Sequence, residues 1–287
     1  MIPGSFDYHR PSSIGDAIGL MSSLGDDAMI VAGGHSLIPM MKLRMALPEH
    51  LVDLQDVQSL KSISIENSQI TLGAMVTQAE LITSEELHEI CPLLREAALQ
   101  IADPQVRYVG TIGGNVANGD PANDMPAIMQ TLNASFTLVG PNGERSVAAR
   151  DFYQGAYYTT REDGEILSSI HLDAPTSGHG SAYEKQKRKI GDYATAAAAV
   201  VLTLSGGTCA TASIGLTNLS ETPLWAEEAA SILVGSSLDR ETIKAAAAAA
   251  KAITNPAEDG RGPIEFRKHV AGIMVERAIA KAHSRAR

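Results

Sequence analysis

Two short segments of this chain follow an apolar run with a pair of glycines and then a small polar residue. The first reads VAGGHSLIPM at residues 31–40, and the second reads VGTIGGNVANGD at residues 109–120. Glycine has no Cβ, so it adopts positive φ and allows the backbone to approach another group closely. The pattern is compatible with two ordinary turns, or with two halves of one cradle for a phosphate-bearing ligand. In either case, the fold must allow the backbone of each segment to approach another group closely.

Length, charge and hydropathy narrow the class of protein. The 287 residues suit two or three compact domains. The formal net charge of -10 disfavours binding to nucleic acid or to an anionic membrane surface. No apolar run approaches the roughly 18 residues that a membrane-spanning helix needs, and the N-terminal MIPGSFDYHRPSS lacks the apolar core of a secretion signal. We therefore expect a cytoplasmic protein, which a partner could still hold at the inner face of the cytoplasmic membrane.

The cysteine content limits the redox chemistry that this chain can carry alone. It contains two cysteines, Cys91 and Cys209, which are far apart and have no C-x-x-C neighbour. A disulfide framework is not expected, and an iron–sulfur cluster needs about four thiolates. His35 has no second histidine or carboxylate at ligand spacing, so no metal site is predicted. No Ser-His-Asp set or motif-placed pair of carboxylates is recognised, and no catalytic residue is assigned.

Hydrophobic periodicity divides the first part of the chain into two units. Residues 1–54 combine an amphipathic helical pattern with short apolar runs, which predicts a small α/β unit. Residues 55–177 combine alternating strand patterns with helical ones, and Asn142-Gly143 marks a hairpin turn. This stretch therefore predicts a second α+β unit.

A third unit, residues 178–287, follows the linker-like APTSGHGS. Two strand patterns flank Gly206-Gly207, and helical patterns cover residues 223–235, 238–253 and 264–286. Strands followed by helices on one face predict an α+β layout for this unit and for the chain as a whole.

Neither glycine segment matches a known nucleotide-binding signature. Both lack the G-x-G-x-x-G spacing, and neither ends in Gly-Lys-Ser or Gly-Lys-Thr. A phosphate nevertheless needs only several converging backbone N–H groups with no Cβ in the way. Two separate segments could therefore hold a diphosphate from both sides.

Three longer stretches carry a resemblance to a known family. They read AGGHSLIPMMKLR, QVRYVGTIGGNVANGDPANDMPAIM and YEKQKRKIGDYATAAAA. Together they resemble the flavin-binding medium subunits of the molybdenum hydroxylases, the xanthine oxidase family, and the similarity spans nearly the whole chain. The resemblance implies an FAD-binding fold of the vanillyl-alcohol-oxidase (PCMH) type, built from two α/β subdomains. A C-terminal domain of antiparallel strands packed with helices completes it.

The resemblance also assigns residues to the cofactor. Residues 32–37 and 111–115 would hold the FAD diphosphate through main-chain N–H groups, and Ser36, Thr111 and Asn115 would add side-chain donors. The assigned residues are Ala32, Gly33, Gly34, His35, Ser36, Leu37, Ile101, Ala102, Thr111, Ile112, Gly113, Gly114, Asn115, Asp124, Leu167, Lys185 and Tyr193.

The remaining assignments concern the two ends of the cofactor. Residues 101–102 would line the adenine or ribose, and Asp124 would accept a hydrogen bond from a ribityl or ribose hydroxyl. Leu167 would contact the apolar rings. Lys185 would place a positive charge near the flavin ring and favour its reduced anion, and Tyr193 would lie beside the ring.

The resemblance implies partners and an electron-transfer role. A large subunit would carry a molybdenum-pterin cofactor, and a small subunit would carry two 2Fe–2S clusters, in a dimer of heterotrimers. This chain would take electrons from the clusters and pass them to an external acceptor such as a quinone. Overall similarity favours carbon monoxide as the large subunit's substrate, oxidised with water to carbon dioxide.

Three alternatives stay open at this point. The same flavin role could serve a large subunit that oxidises a purine or an aldehyde. The chain could be a self-contained FAD-dependent oxidase of the same fold. It could also be a scaffold module in which the glycine segments are turns. The basic stretch EKQKRK is either a solvated strand face or a docking patch for an acidic partner.

Overall fold

A three-stranded parallel sheet forms the N-terminal part of the fold. The structure, a computed structural model, describes residues 2–287. The first elements are β1 (Asp7–His9), α1 (Ile14–Leu24), β2 (Ala28–Val31), α2 (Leu37–Lys42) and β3 (His50–Asp53), with 3-10 turns at Gly25–Asp27, Leu54–Asp56 and Gln58–Leu60. The strand order is β1-β3-β2. Helix α1 begins where the side chain of Ser13 accepts a hydrogen bond from the amide of Asp16. It packs Ala17 against the buried Val52 of the central strand.

The second part of the chain places six short helices against a five-stranded antiparallel sheet. Its elements are β4 (Ile63–Glu66), β5 (Gln69–Gly73), α3 (Gln78–Thr83), α4 (Glu85–Ile90), α5 (Pro92–Gln100), α6 (Pro104–Val109), α7 (Ile112–Ala117), α8 (Met125–Thr131), β6 (Ser135–Gly140), β7 (Gly143–Ala148), β8 (Tyr153–Gly155), β9 (Tyr158–Thr159) and β10 (Ile166–Asp173). The sheet order is β4-β5-β10-β6-β7, and β8 pairs with β9. Alternate residues such as Leu72, Phe136 and Ile170 are fully buried against the helices.

A four-stranded antiparallel sheet and three helices complete the chain. The elements are β11 (Gly180–Gln186), β12 (Ala196–Ser205), β13 (Thr208–Thr217), β14 (Leu224–Trp225), α9 (Glu227–Leu233), α10 (Arg240–Ala252) and α11 (Ile264–Arg285). Strand β12 is buried on both faces: Ala196, Ala198 and Val200 contact the third-unit core, whereas Ala197 and Ala199 join the core of the second part. Because these side chains are small, helices can pack closely against both faces of the sheet at this strand.

A buried arginine fixes the position of helix α11. The Arg267 side chain is almost completely buried and donates hydrogen bonds to the main-chain carbonyls of Thr195, Asn218 and Ala257. These carbonyls belong to three separate loops, so one guanidinium joins the helix to the turns around the sheet.

The described elements confirm the α+β class, but one predicted helix was wrong in its start. The helix predicted for 223–235 begins only at Glu227, because Trp225 pairs with Gly215 in the sheet and lies under the guanidinium of Arg150, 3.5 Å from the ring centroid. Residues 112–117 of the second glycine segment form helix α7, an element that the sequence analysis did not predict. The division of the chain at residues 54 and 177 stays a prediction.

Both cysteines, Cys91 and Cys209, are buried free thiols. Burial raises the pKa of Cys91 to about 12, so its thiol stays protonated. Within residues 2–287, no helix combines the length and the apolar character that crossing a lipid bilayer requires.

Candidate functional site

The first glycine segment is a loop between β2 and α2 that leaves its amides unused. Gly34 has φ +71, a conformation that favours glycine. The main-chain N–H groups of residues 33–37 donate no hydrogen bond to any acceptor in the described chain. The hydroxyl of Ser36 does not cap helix α2 either. This loop therefore offers a row of free donors at the surface.

The second glycine segment is organised differently, because most of its amides are already occupied. The amide of Ile112 donates to the carbonyl of Val76 at 2.8 Å, and that of Gly113 donates to Ala74 at 2.9 Å. The amide of Gly114 donates to the hydroxyl oxygen of Thr111, which caps α7. The amides of residues 112–114 thus fasten α7 to the core, and their role in holding a diphosphate stays a prediction.

The two segments nevertheless meet. A Cβ built on Gly33 would collide with the carbonyl oxygen of Val109 and lie 2.8 Å from the Cα of Gly110. On the far side, a Cβ on Gly114 would lie 3.8 Å from the Cβ of Ala32. Only a residue without a side chain lets the two backbones approach this closely.

The free polar groups at this junction suit a phosphate. The loop supplies its unused amides and the hydroxyl of Ser36, while Thr111 retains a hydroxyl proton to donate. Asn115 accepts from the amide of Met125 through Oδ1, and its Nδ2 donates to no acceptor in the described chain. These groups fit the diphosphate of a dinucleotide.

A buried ion pair lies next to this junction. Lys185 Nζ donates to Asp124 Oδ2 at 2.8 Å, and both side chains are at most 5% exposed. The hydroxyl of Tyr183 donates to the other carboxylate oxygen. Burial raises the pKa of the Asp124 carboxyl, which the charge of Lys185 opposes. Both oxygens of Asp124 thus already accept hydrogen bonds, and the charge of Lys185 is paired with this carboxylate; its predicted place near the flavin ring stays a prediction.

The end of helix α5 joins the same cluster. Lys185 also donates to the carbonyl of Gln100, and Lys187 Nζ donates to the Gln100 side chain at 2.6 Å. The next two residues, 101–102, are held by Arg107, whose guanidinium donates to both of their carbonyls. The predicted adenine-side residues therefore lie beside the Asp124 ion pair.

The remaining predicted residues differ in accessibility. Ile112 is completely buried and Leu167 is 5% exposed, so both side chains belong to the hydrophobic core and neither presents an apolar surface. Tyr193 is 42% exposed, and partial burial with the carboxylate of Asp120 raises its pKa to about 12. Its hydroxyl stays a neutral donor at physiological pH.

Sequence reasoning missed Tyr183, Gln100 and Val109. Tyr183 lies two positions before Lys185 on β11, so strand alternation places both on one face and could have paired them. Val109 acts through its backbone carbonyl and Gln100 through both its carbonyl and its side chain, and no sequence pattern marks a carbonyl contact.

We expect Gly33→Ala to destabilise the protein by about 1–3 kcal/mol, because the new methyl group overpacks the contact with Val109. The free energy of unfolding in urea measures the effect. Gly272→Ala is the matched control: its Cβ would meet nothing within 4 Å on helix α11, and it should stabilise by about 0.5–1 kcal/mol. Equal unfolding of the Gly33→Ala and parent proteins would contradict the close contact.

We expect Asp124→Asn to destabilise by about 3–5 kcal/mol, since it leaves the charge of Lys185 buried without a partner. Adding Lys185→Met should recover most of the loss, measured as urea unfolding in a double-mutant cycle. Asp56→Asn is the control, because its ion pair with Arg10 is exposed and should cost at most about 1 kcal/mol. A loss no larger than that of Asp56→Asn would show that the pair is not desolvated.

Comparison with known proteins addresses the whole chain. Residues 4–175 match the family model described as the FAD binding domain in molybdopterin dehydrogenase, and residues 181–282 match the CO dehydrogenase flavoprotein C-terminal domain. The chain is 62% identical to the carbon monoxide dehydrogenase medium chain of Afipia carboxidovorans over all of both chains. It is 37% identical to subunit alpha of the 6-hydroxypseudooxynicotine dehydrogenase complex of Paenarthrobacter nicotinovorans, covering 100% of this chain and 97% of that one.

A solved structure agrees in shape over the same extent. Carbon monoxide dehydrogenase from Hydrogenophaga pseudoflava, in a form that lacks the Mo-pyranopterin moiety, superposes with a TM-score of 0.99 at 49% identity and 100% coverage of both chains. The resemblance to the flavin-binding medium subunits of molybdenum hydroxylases is thereby confirmed. The chain belongs to the family of FAD-binding domains of molybdopterin dehydrogenases, followed by the C-terminal domain of CO dehydrogenase flavoproteins.

Proposed function

We propose that this chain is the FAD-carrying medium subunit of a carbon monoxide dehydrogenase. The observation that carries the proposal is the 62% identity to a carbon monoxide dehydrogenase medium chain over the full length of both proteins. The relative from a 6-hydroxypseudooxynicotine dehydrogenase complex shares only 37%. The second candidate, the same role with an organic substrate on the large subunit, rests on that weaker similarity.

The two glycine segments grip the diphosphate of FAD. The donors are the amides of residues 33–37 and the hydroxyls of Ser36 and Thr111, with Nδ2 of Asn115 beside them. These groups are fixed before the ligand arrives, because the Gly33 contact locks the two backbones together. Binding therefore costs little reorganisation of the chain.

The buried cluster orients the cofactor at the adenine and ribityl end. Asp124 and Lys185 neutralise each other, which keeps residues 101–102 and helix α8 in a fixed relation. Tyr193 offers a neutral hydroxyl at the edge of the flavin ring, since its raised pKa keeps the proton in place. When bound, FAD supplies the electron-carrying chemistry, and the chain binds and orients it.

The proposal extends to an assembly. A large molybdenum-binding subunit and a small subunit with two 2Fe–2S clusters accompany this chain in a dimer of heterotrimers. Electrons pass from the clusters through FAD to a quinone, at the cytoplasmic side of the membrane. A medium chain by name implies larger and smaller companions, which supports the first part. Residues 1–54 and 55–177 would be the FAD-binding subdomains, and 178–287 the C-terminal domain.

The substrate is tested on the purified complex without oxygen. Carbon monoxide should bleach the visible flavin absorbance, and denaturation should release a compound with the mass of FAD. Bleaching by xanthine or an aldehyde, but not by carbon monoxide, would favour the second candidate. Bleaching by the isolated chain with a substrate of its own would contradict the subunit role.

The diphosphate grip is tested with two serines. Ser36→Ala should weaken FAD binding about tenfold, the loss of one charge-assisted hydrogen bond, without lowering the melting temperature. Ser13→Ala should keep FAD affinity and destabilise by about 1 kcal/mol, because Ser13 caps helix α1. Titration of the cofactor-free chain with FAD gives the affinities. Unchanged affinity in Ser36→Ala would remove this hydroxyl from the site.

A further inference from the structure

A groove of about 700 Å³ lies where the second part of the chain meets the C-terminal helix. Helices α4 and α5 form one wall, and the start of β11 with the end of α11 forms the other. None of the seventeen residues assigned to FAD lines it. The residues that matter below are Pro92, Arg95, Leu99, His179, Ser181 and Arg287.

The groove is cationic in a chain whose overall charge is negative. Neither Arg95 nor Arg287 has a carboxylate within 4.0 Å in the part of the chain that the structure describes. The acidic lining residue, Glu96, is neutralised by Lys281 and Arg285, each at 2.6 Å. The guanidinium groups of Arg95 and Arg287 are therefore not paired with an acidic side chain at this place, although the chain carries a net charge of -10.

Three lining residues carry buried polar atoms that make no hydrogen bond within residues 2–287. They are Arg95 Nε, His179 Nε2 and Ser181 Oγ. Ser181 is only 2% exposed. A buried donor without an acceptor costs about 1–3 kcal/mol, and three such atoms around one groove have a common explanation if a ligand supplies the missing partners.

His179 can form a hydrogen bond with a phosphate whether its ring is neutral or protonated. His179 Nδ1 donates to the carbonyl of Thr176 at 3.0 Å, so the neutral ring presents Nε2 as an acceptor. It then accepts the proton of a P–OH group. When the ring is protonated, Nε2 donates to a phosphate oxygen instead.

An apolar surface borders these polar groups. Pro92 and Leu99 line the same groove, and the Leu99 side chain is 50% exposed. An apolar wall with a few converging polar groups is the composition of a small-molecule site. The volume also exceeds what a bare phosphate ion needs, which leaves room for an organic body beside the phosphate.

We propose that this groove binds a small organic phosphate, with the phosphate on Arg95, Ser181, His179 and Arg287 and the apolar body on Pro92 and Leu99. Arginine pairs with phosphate oxygens through two parallel N–H bonds, which explains its use at this position. The site is separate from the proposed FAD grip and does not rest on the proposed function.

The experiment titrates the full chain, with its cofactor and any co-purifying subunits, by calorimetry. The probes are inorganic phosphate, phenyl phosphate and adenosine monophosphate, with benzyl alcohol as the uncharged control. We expect at least one organic phosphate to bind about tenfold tighter than inorganic phosphate, and no binding of benzyl alcohol. Absence of saturable binding by both organic phosphates would overturn the proposal.

Matched variants locate the binding, because adenosine monophosphate could also enter the glycine junction. Arg95→Gln, Ser181→Ala and the exposed Arg287→Gln should each weaken it about tenfold, the loss of one charge-assisted hydrogen bond. Arg240→Gln changes an exposed arginine outside the groove, and Ser213→Ala removes another buried hydroxyl without a partner. Both controls should bind as the parent does. Equal affinity of all five variants, with unchanged melting temperatures, would also overturn the proposal.

Discussion

The backbone contact between Gly33 and Val109 is the constraint on which the candidate FAD site depends. It brings a loop from the parallel sheet against the end of a helix from the antiparallel part, with no side chain between them. The loop amides then face outward unused, while the amides of α7 turn inward to the core. The first segment offers main-chain donors, whereas the second uses its amides for rigidity and offers only side-chain donors. Glycine serves two different purposes in the two segments, although the sequence shows the same pair twice.

The Asp124–Lys185 pair shows how charge is managed behind the site. A lone buried lysine or aspartate would be costly, but each neutralises the other and Tyr183 satisfies the second oxygen. The same pair links α8, β11 and the end of α5, so electrostatics and positioning coincide. The positive charge of Lys185 is therefore balanced within the cluster.

Local patterns predicted the helices and strands well wherever period and caps agreed. The amphipathic pattern in residues 1–54 corresponds to α1, and Asn142-Gly143 marked the β6–β7 turn. Prediction failed where a long-range contact decided the outcome: Trp225 joined the sheet instead of starting a helix. In the candidate site, too, prediction failed where long-range contacts decide the arrangement. The sequence missed the Tyr183 hydroxyl behind Asp124, and the carbonyl contact of Val109 and the engaged amides of α7 depend on packing that no local pattern encodes.

The doubly buried alanine strand β12 has a consequence for how this chain can change over time. Ala197 and Ala199 lie in the core on one side of β12, and Ala196 and Ala198 lie in the core on the other. Both faces of the strand are closely packed, with no room for a larger side chain. One added methyl group would displace the layer beneath it, and both layers carry binding groups: α8 follows Asp124, and α11 ends at the cationic groove. A substitution in β12 would therefore affect both proposed ligand regions. We expect this strand to tolerate fewer substitutions than its distance from those regions suggests.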